Sequence, residues 1–240
     1  MSNLHHIMTS SLFSIMICLL AFEIGILINK KTKIAIFNPL LVAIALVIIY
    51  LIGFKISYKE FNRGGQFITD LLQPATVVLA VPLYKQINLL KKHLVPILSG
   101  IFIGSGVGIV YIFFLSYFLK LNPELIKSLM PKSITTPIGM QVSQSLGGIV
   151  PVTVVAIIVT GITGAIIYPL ILKIFKIKNP VAVGVALGTC SHAVGTSKAL
   201  TLGETQGAMS SLSIGVAGLS VVILAPILYG VLSTIVGLHW

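Results

Sequence analysis

The amino-acid sequence predicts an all-α, polytopic membrane protein with about six to eight transmembrane helices. Composition leads to this fold class. Hydrophobic residues make up 56% of the 240-residue chain and charged residues only 9%, whereas a soluble domain carries about 25% charged residues. The mean hydropathy is +1.08, and no soluble chain of this size has an interior that could bury so much apolar surface. We therefore expect a protein of the lipid bilayer and exclude an ordinary soluble enzyme.

The net charge of +11 fits the same reading. The Lys and Arg residues lie in short clusters between apolar stretches, where they anchor loops at the membrane surface. They are not interleaved with polar and aromatic groups as in a nucleic-acid-binding face, so no nucleic-acid partner is expected. Cys18 and Cys190 both lie within apolar runs and are expected to be free thiols.

The plain apolar stretches are long enough for membrane spans, and the first reads as a retained span because it lacks a basic start and a cleavage site. They lie at residues 12–28, 39–54, 67–84, 95–119, 151–172 and 208–238. Pro74 and Pro82 interrupt the third. The fourth carries four glycines that we expect to serve close helix packing: Gly100, Gly104, Gly106 and Gly108.

Two further segments, residues 131–148 and 188–200, are too polar for lipid-facing helices and carry too few charges for exposed loops. Backbone that leaves helical geometry inside a membrane must be buried in protein or line a wet cavity. Pro137 disfavours helix at Thr136 and suits the first turn of a following helix. Gly188 and Gly195 bracket His192. Both segments are therefore predicted to be broken or re-entrant helices.

An internal repeat is also predicted. Asn38-Pro39 and the apolar residues after it align with Asn179-Pro180 at an offset of 141, and Pro82 aligns with Pro226 at an offset of 144. The repeats would cover residues 11–84 and 152–229 of a single membrane domain spanning residues 1–240. Duplicated halves with broken helices between them are typical of secondary transporters.

The orientation depends on residues 131–148. If this segment re-enters the membrane, one side holds nine Lys/Arg residues and the other six, and the N-terminus lies outside. If it crosses fully, the N-terminus lies inside and the two repeats are inverted. Both arrangements stay open on the sequence, and transporter precedent favours the inverted one.

The two polar segments predict an anion site. Two helix N-termini that face each other offer unpaired N–H donors and positive dipole ends to a carboxylate. The residues expected to bind it are Ser133, Thr135, Thr136, Ser191, His192, Gly195, Thr196, Ser197 and Lys198. The alternatives are structural: the hydroxyls could bond to their own helices, His192 could serve an interface, and Lys198 could extend to the surface. The sequence implies no metal, cofactor or enzymatic activity.

At these segments the sequence resembles a known family. Lys132-Ser-Ile-Thr-Thr-Pro-Ile-Gly139, residues 191–199 (SHAVGTSKA), Gly203-Glu204 and residues 207–211 (GAMSS) resemble the LrgB/CidB family of bacterial membrane proteins. The likeness covers nearly the whole chain from about Asn38 onward. The Thr-Thr-Pro and His-x-x-Gly-Thr forms are closer to the CidB-like branch.

The resemblance implies a multi-pass protein of the bacterial plasma membrane and two functional alternatives. One is an antiholin-like or holin-like protein that acts with a small LrgA/CidA-type membrane partner to govern murein hydrolase export, autolysis and programmed cell death. The other is a carrier of small monocarboxylates such as pyruvate, glycolate or lactate, as in the related half of the plastidal glycolate/glycerate translocator. The polar broken segments favour the carrier. The sequence leaves a homo-oligomer open.

Overall fold

The all-helical class is confirmed. A computed structural model describes residues 10–32, 37, 39–71, 74, 78, 80–85 and 87–238, and within them there is no strand. In chain order the helices are α1 (Ser11–Thr32), α2 (Pro39–Gly53), α3 (Tyr58–Asp70), α4 (Ala80–Lys85), α5 (Ile87–Lys92), α6 (Leu94–Phe118), α7 (Pro123–Leu129), α8 (Thr136–Leu146), α9 (Val150–Ile174), α10 (Pro180–Leu202) and α11 (Glu204–Ile235).

Four of these helices, among the described residues, are long and apolar enough to cross a membrane: α1, α6, α9 and α11. This is fewer than the expected six to eight. One reason is that α2 has 15 residues, about 22 Å at 1.5 Å per residue, against a hydrocarbon core of about 30 Å. The predicted span at residues 67–84 is not one helix, because α3 ends at Asp70; most of residues 72–79 lie outside the described part.

The chain divides into two compact units, residues 1–78 and 79–240. In the first unit, α1 and α2 pack antiparallel. Gly25 of α1 permits the close approach, because a Cβ there would lie 2.5 Å from the Pro39 carbonyl oxygen. At the other end of the pair, the Phe13 and Tyr50 rings lie 6.3 Å apart. The paired helices of this unit are thus held at both ends.

Helix α3 is amphipathic and completes the first unit. It begins at a capping box in which the Ser57 hydroxyl accepts from the Glu60 N–H and the Glu60 carboxylate accepts from the Ser57 N–H. Phe61 packs on Tyr50, with ring centroids 6.5 Å apart, and Gly64 lies directly against Ser11. Phe61 and Gly64 are therefore the buried residues of this helix, packed on α2 and α1.

Three long helices frame the second unit. Helices α6 and α11 run parallel, since Ile97 and Ile101 share an apolar cluster with Ala208 and Met209, and the Phe113 and Tyr229 rings lie 6.1 Å apart near the far ends. Helix α9 runs opposite to them. We call the end of this unit where α6 and α11 begin the proximal end, and the end where they finish the distal end.

The first polar segment forms a re-entrant hairpin, α7–α8, from the distal end. Its two ends meet, because the Ile149 N–H donates to the Ser128 hydroxyl over 2.6 Å. The Thr153 hydroxyl bonds the hairpin to α9, donating to the Ser128 carbonyl at 2.9 Å and the Ser143 hydroxyl at 2.7 Å. Since the segment returns to where it started, residues 131–148 do not cross the membrane. The inverted arrangement of the two repeats required this segment to cross the membrane fully. That expected crossing is therefore wrong.

The second polar segment, within α10, is also a hairpin. Residues eight apart in a straight helix are about 12 Å apart, yet Gly195 lies against the Leu187 carbonyl. Ala199 likewise shares an apolar cluster with Val183 and Leu187. The break is at His192, whose backbone (φ 41°, ψ −128°) is not helical. Residues 180–191 thus enter from the proximal end and residues 193–202 return to it.

Candidate functional site

The tips of the two hairpins meet at the middle of α9. His192 at the α10 tip donates from Nε2 to the Ile157 carbonyl over 3.0 Å, and Ser191 lies against Gly164. A central cavity of about 580 Å³ lies between both tips, α6 and α9. A volume of this size is within the range of pockets for small molecules, about 300–1,000 Å³. Its polar lining comprises Ser105, Tyr111, Lys132, Ser133, Thr160, Thr163, Thr189 and Cys190.

Lys132 is the charged residue of this lining. It lies on the α7–α8 tip, is half-buried, and is within electrostatic reach of Cys190. Among the described residues its ammonium group has neither a hydrogen-bond nor an ion-pair partner. The second unit contains only two carboxylates, Glu124 and Glu204, and each lies in the first turn of a helix at an end of the unit. A half-buried cation without a partner is costly and favours an anionic ligand.

Two hydroxyl groups of the lining also have no partner. Ser105 Oγ and Thr189 Oγ1 make no hydrogen bond, although the residues are only 5% and 7% exposed. Most buried polar groups in proteins are hydrogen-bonded, because an unsatisfied hydroxyl costs about 1–3 kcal/mol. Both oxygen atoms are themselves buried, with less than 1 Å² of accessible surface.

The helix N-termini at the two hairpin tips contribute less positive charge to the site than the sequence predicts. Helix α8 begins at Thr136, three residues after Ser133, and the second half of α10 begins at Ala193, three residues after Cys190. Each hairpin also brings a helix C-terminus to its tip, at Met130 and Ser191. The partial charges of about +0.5 and −0.5 at such ends oppose each other. The full charge of Lys132 therefore dominates the field in the cavity.

The predicted site residues on the first tip are only partly at the cavity. Ser133 lines it. Thr135 is the N-cap of α8 and its side chain makes no capping hydrogen bond, and Thr136 is the first residue of that helix. Both threonines are half-buried and lie beside the cavity lining, not in it. Their role in binding stays a prediction.

The predicted residues of α10 lie mostly in packing positions. Ser191 and His192 are buried at the tip, and Gly195 packs against the first half of the hairpin. Thr196 is buried and hydrogen-bonded to Ser210 Oγ at 2.7 Å. Ser197 donates to the Ala193 carbonyl of its own helix, and Lys198 is exposed. None of the six lines the central cavity, so their assignment to substrate also stays a prediction.

The sequence analysis did not single out several residues of the lining: Ser105, Thr160, Thr163 and Thr189. Thr160 and Thr163 belong to an apparently plain span, but with Gly161 and Gly164 they form the one stretch of small and hydroxyl residues at its centre. Lys132 stood in a family motif without an assigned role. Lysines in such sequences are usually surface anchors, and only the hairpin geometry places this one at mid-depth.

The glycines of α6 line cavities. A Cβ at Gly100 or Gly108 would meet no atom within 4 Å, and one at Gly104 would meet only Thr189 Cγ2 at 3.7 Å. The prediction that these three serve close helix packing is therefore wrong. Gly100 and Gly108 face open space and Gly104 makes ordinary contact with Thr189, because the three lie four residues apart on one side of α6.

The sequence comparisons agree on one family. The profile of the LrgB-like family matches residues 18–231. The protein named "Antiholin-like protein LrgB" of Bacillus cereus (strain B4264) is 37% identical over 215 residues, which cover 89% of this chain and 94% of that protein. The protein of the same name from Bacillus anthracis (strain CDC 684 / NRRL 3495) has the same identity and coverage. No solved structure matches the chain.

Proposed function

The chain belongs to the LrgB-like family of multi-pass bacterial membrane proteins, and we propose that it is a carrier or facilitator of small monocarboxylates. The observation that carries this proposal is Lys132, whose ammonium group lines a cavity between the two hairpin tips and has no partner among the described residues. A carboxylate bound there would gain a charge-assisted hydrogen bond from the ammonium group. Ser133, Thr160 and Thr163, which line the same cavity, would offer neutral hydroxyl donors.

The geometry favours a small substrate with one carboxylate. Lys132 supplies one positive charge, and no other described Lys or Arg lines the cavity. A dicarboxylate would bring one negative charge without a counter-charge into a buried site, which is costly. Pyruvate, glycolate and lactate each have one carboxylate and a neighbouring oxygen that a hydroxyl side chain can contact.

The test is uptake of labelled pyruvate or lactate into proteoliposomes of the purified protein, with and without an LrgA/CidA-type partner. We expect saturable uptake by the wild type and a reduction of about tenfold or more for Lys132→Gln, because a hydrogen bond to a charged group contributes about 1.5–3 kcal/mol. Lys132→Arg should retain most of the uptake, since it keeps the charge.

Lys198→Gln distinguishes the two candidate cations. If the exposed Lys198 binds the substrate, as the sequence predicts, this variant loses uptake and Lys132→Gln does not. Thr136→Val and His192→Ala test the remaining predicted residues in the same assay. If wild-type protein takes up neither compound, with or without the partner, the carrier proposal is wrong.

The second candidate is antiholin-like control of murein hydrolase export and autolysis. The names of the relatives favour it, since they are called antiholin-like proteins. The two candidates differ in a strain that lacks this gene. If autolysis follows from transport, Lys132→Gln should fail to restore the wild-type rate of lysis. If the protein acts through its partner alone, Lys132→Gln should restore that rate fully.

A further inference from the structure

A second cavity adjoins the central one. This access cavity, of about 490 Å³, reaches from His93 and Asn179 at the proximal end to the middle of α10. It shares Gly104, Thr189 and Cys190 with the central cavity. Because they share these lining residues, the two cavities adjoin each other between the proximal end and Lys132.

We propose that this structure is the state in which the Lys132 site is open to the proximal face of the membrane, and that Gly104 is the narrow point of the route. This inference rests on the proposed function, because it concerns how the anion reaches the site. Gly104 and Thr189 face each other at the junction of the two cavities, with a Cβ on Gly104 lying 3.7 Å from Thr189 Cγ2.

The groove beside Lys132 on the distal side, among the described residues, is a poorer route for an anion. The groove that adjoins Lys132 on that side is lined by apolar residues, chiefly Pro151, Val152, Val155 and Val159. An anion in such a groove would lose its hydration without gaining hydrogen bonds, which is costly. The route from the proximal end offers polar groups at His93, Asn179 and Thr189.

The surface charge of the second unit agrees with this direction. Five exposed lysines lie beside the mouth of the access cavity: Lys91, Lys92, Lys173, Lys176 and Lys178. The distal loops carry Lys120 and Lys127. Clustered positive charge raises the local concentration of anions. By the positive-inside rule the more basic face is cytoplasmic, so the site is open to the cytoplasm.

Cys190 makes the proposal testable, because it is exposed, lines both cavities and is one of only two cysteines. The experiment uses the Cys18→Ser variant, in which Cys190 is the remaining cysteine. The probe is the membrane-impermeant sulfonate reagent MTSES. Its rate of reaction with Cys190 is compared in inside-out and right-side-out vesicles. We expect the reaction to be about tenfold or more faster in inside-out vesicles, since thiol reactivity follows access.

Two variants on one helix test the route. Gly104→Val should slow the reaction about tenfold or more, because its methyl groups would project between α6 and Thr189. Gly106→Val is the matched control: a Cβ there also meets a single side chain at 3.7 Å, Leu224, but it lies in a separate apolar groove. It should leave the rate unchanged. Gly100→Leu, where a Cβ meets nothing within 4 Å, should slow the reaction if Gly104→Val does not fold.

Three results would overturn the inference: a faster reaction in right-side-out vesicles, a rate insensitive to both Gly104→Val and Gly100→Leu, or no reaction from either side. The labelling does not depend on transport. Cytoplasmic access without any uptake would therefore contradict the proposed function and leave the route standing. Uptake combined with access from the outer face alone would contradict the route and leave the proposed function standing.

Discussion

At the scale of single residues, the two buried threonines of α10 differ in what their hydroxyls do. Thr196 Oγ1 is bonded to Ser210 Oγ at 2.7 Å, whereas Thr189 Oγ1 has no partner. The first hydroxyl stabilises the hairpin against α11. The second costs folding free energy, because a buried hydroxyl without a hydrogen bond is unfavourable.

Thr189→Val and Thr196→Val should therefore have opposite effects. Thr189→Val removes an unsatisfied hydroxyl at constant shape, so we expect unchanged or raised thermal stability in detergent. Thr196→Val leaves Ser210 Oγ without its partner and should cost about 1–3 kcal/mol. A loss of stability for Thr189→Val would show that its hydroxyl serves packing.

At this scale the sequence predicted which segments form the site better than it predicted which side chains line the cavity. Residues 131–148 and 188–200 were recognisable because polar residues without charge are out of place in lipid. Of the nine predicted residues, however, only Ser133 lines the central cavity. Which side chain faces the cavity depends on where the hairpin turns, and a turn shifted by one residue rotates a helical side chain by about 100°.

At the scale of elements, α10 is a hairpin whose tip has an unusual backbone. His192 has φ 41° and ψ −128°, a conformation that glycine adopts readily and other residues adopt at a cost of about 1–3 kcal/mol. Its imidazole bond to the Ile157 carbonyl and the packing of Ser191 on Gly164 hold the tip against α9. The neighbouring glycines suggested a break here, but φ/ψ values are not readable from the sequence.

We expect His192→Gly to be more stable than His192→Ala. Both variants lose the bond to Ile157, but only alanine retains the backbone strain. In a continuous helix the order would be reversed, because alanine is favoured over glycine by about 1 kcal/mol. A midpoint of thermal unfolding about 2–4 °C higher for the glycine variant, measured in detergent, would agree with the hairpin. A higher midpoint for the alanine variant would contradict it.

At the scale of the second unit, the α7–α8 and α10 hairpins enter from opposite ends. Their tips meet between the three long helices α6, α9 and α11. The sequence predicted the class, the long spans α1, α6, α9 and α11, and the two broken segments. It could not decide between crossing and re-entry, because hydropathy reports depth and not direction. That choice is made by contacts between residues far apart in sequence, such as Ser128 with Ile149 and Leu187 with Gly195.

Re-entry of residues 131–148 fixes which loops share a membrane face. Lys120 and Gln144 are exposed and lie on either side of the α7–α8 tip, and Lys176 is exposed beyond the end of α9. With Cys18→Ser and Cys190→Ser as background, we expect Lys120→Cys and Gln144→Cys to react with an impermeant maleimide from one face. Lys176→Cys should react from the other.

The expected assignment follows from charge. Lys176 lies with the lysines of the proximal face, so its variant should label in inside-out vesicles, and the other two in right-side-out vesicles. A full crossing would instead place Gln144 and Lys120 on opposite faces, which would remove the hairpin that brings Lys132 to mid-depth. If each of the three variants labels from the face opposite to the expected one, both hairpins are still present, but the access cavity opens toward the outside. The three variants thus separate an error in the fold of this unit from an error in its orientation.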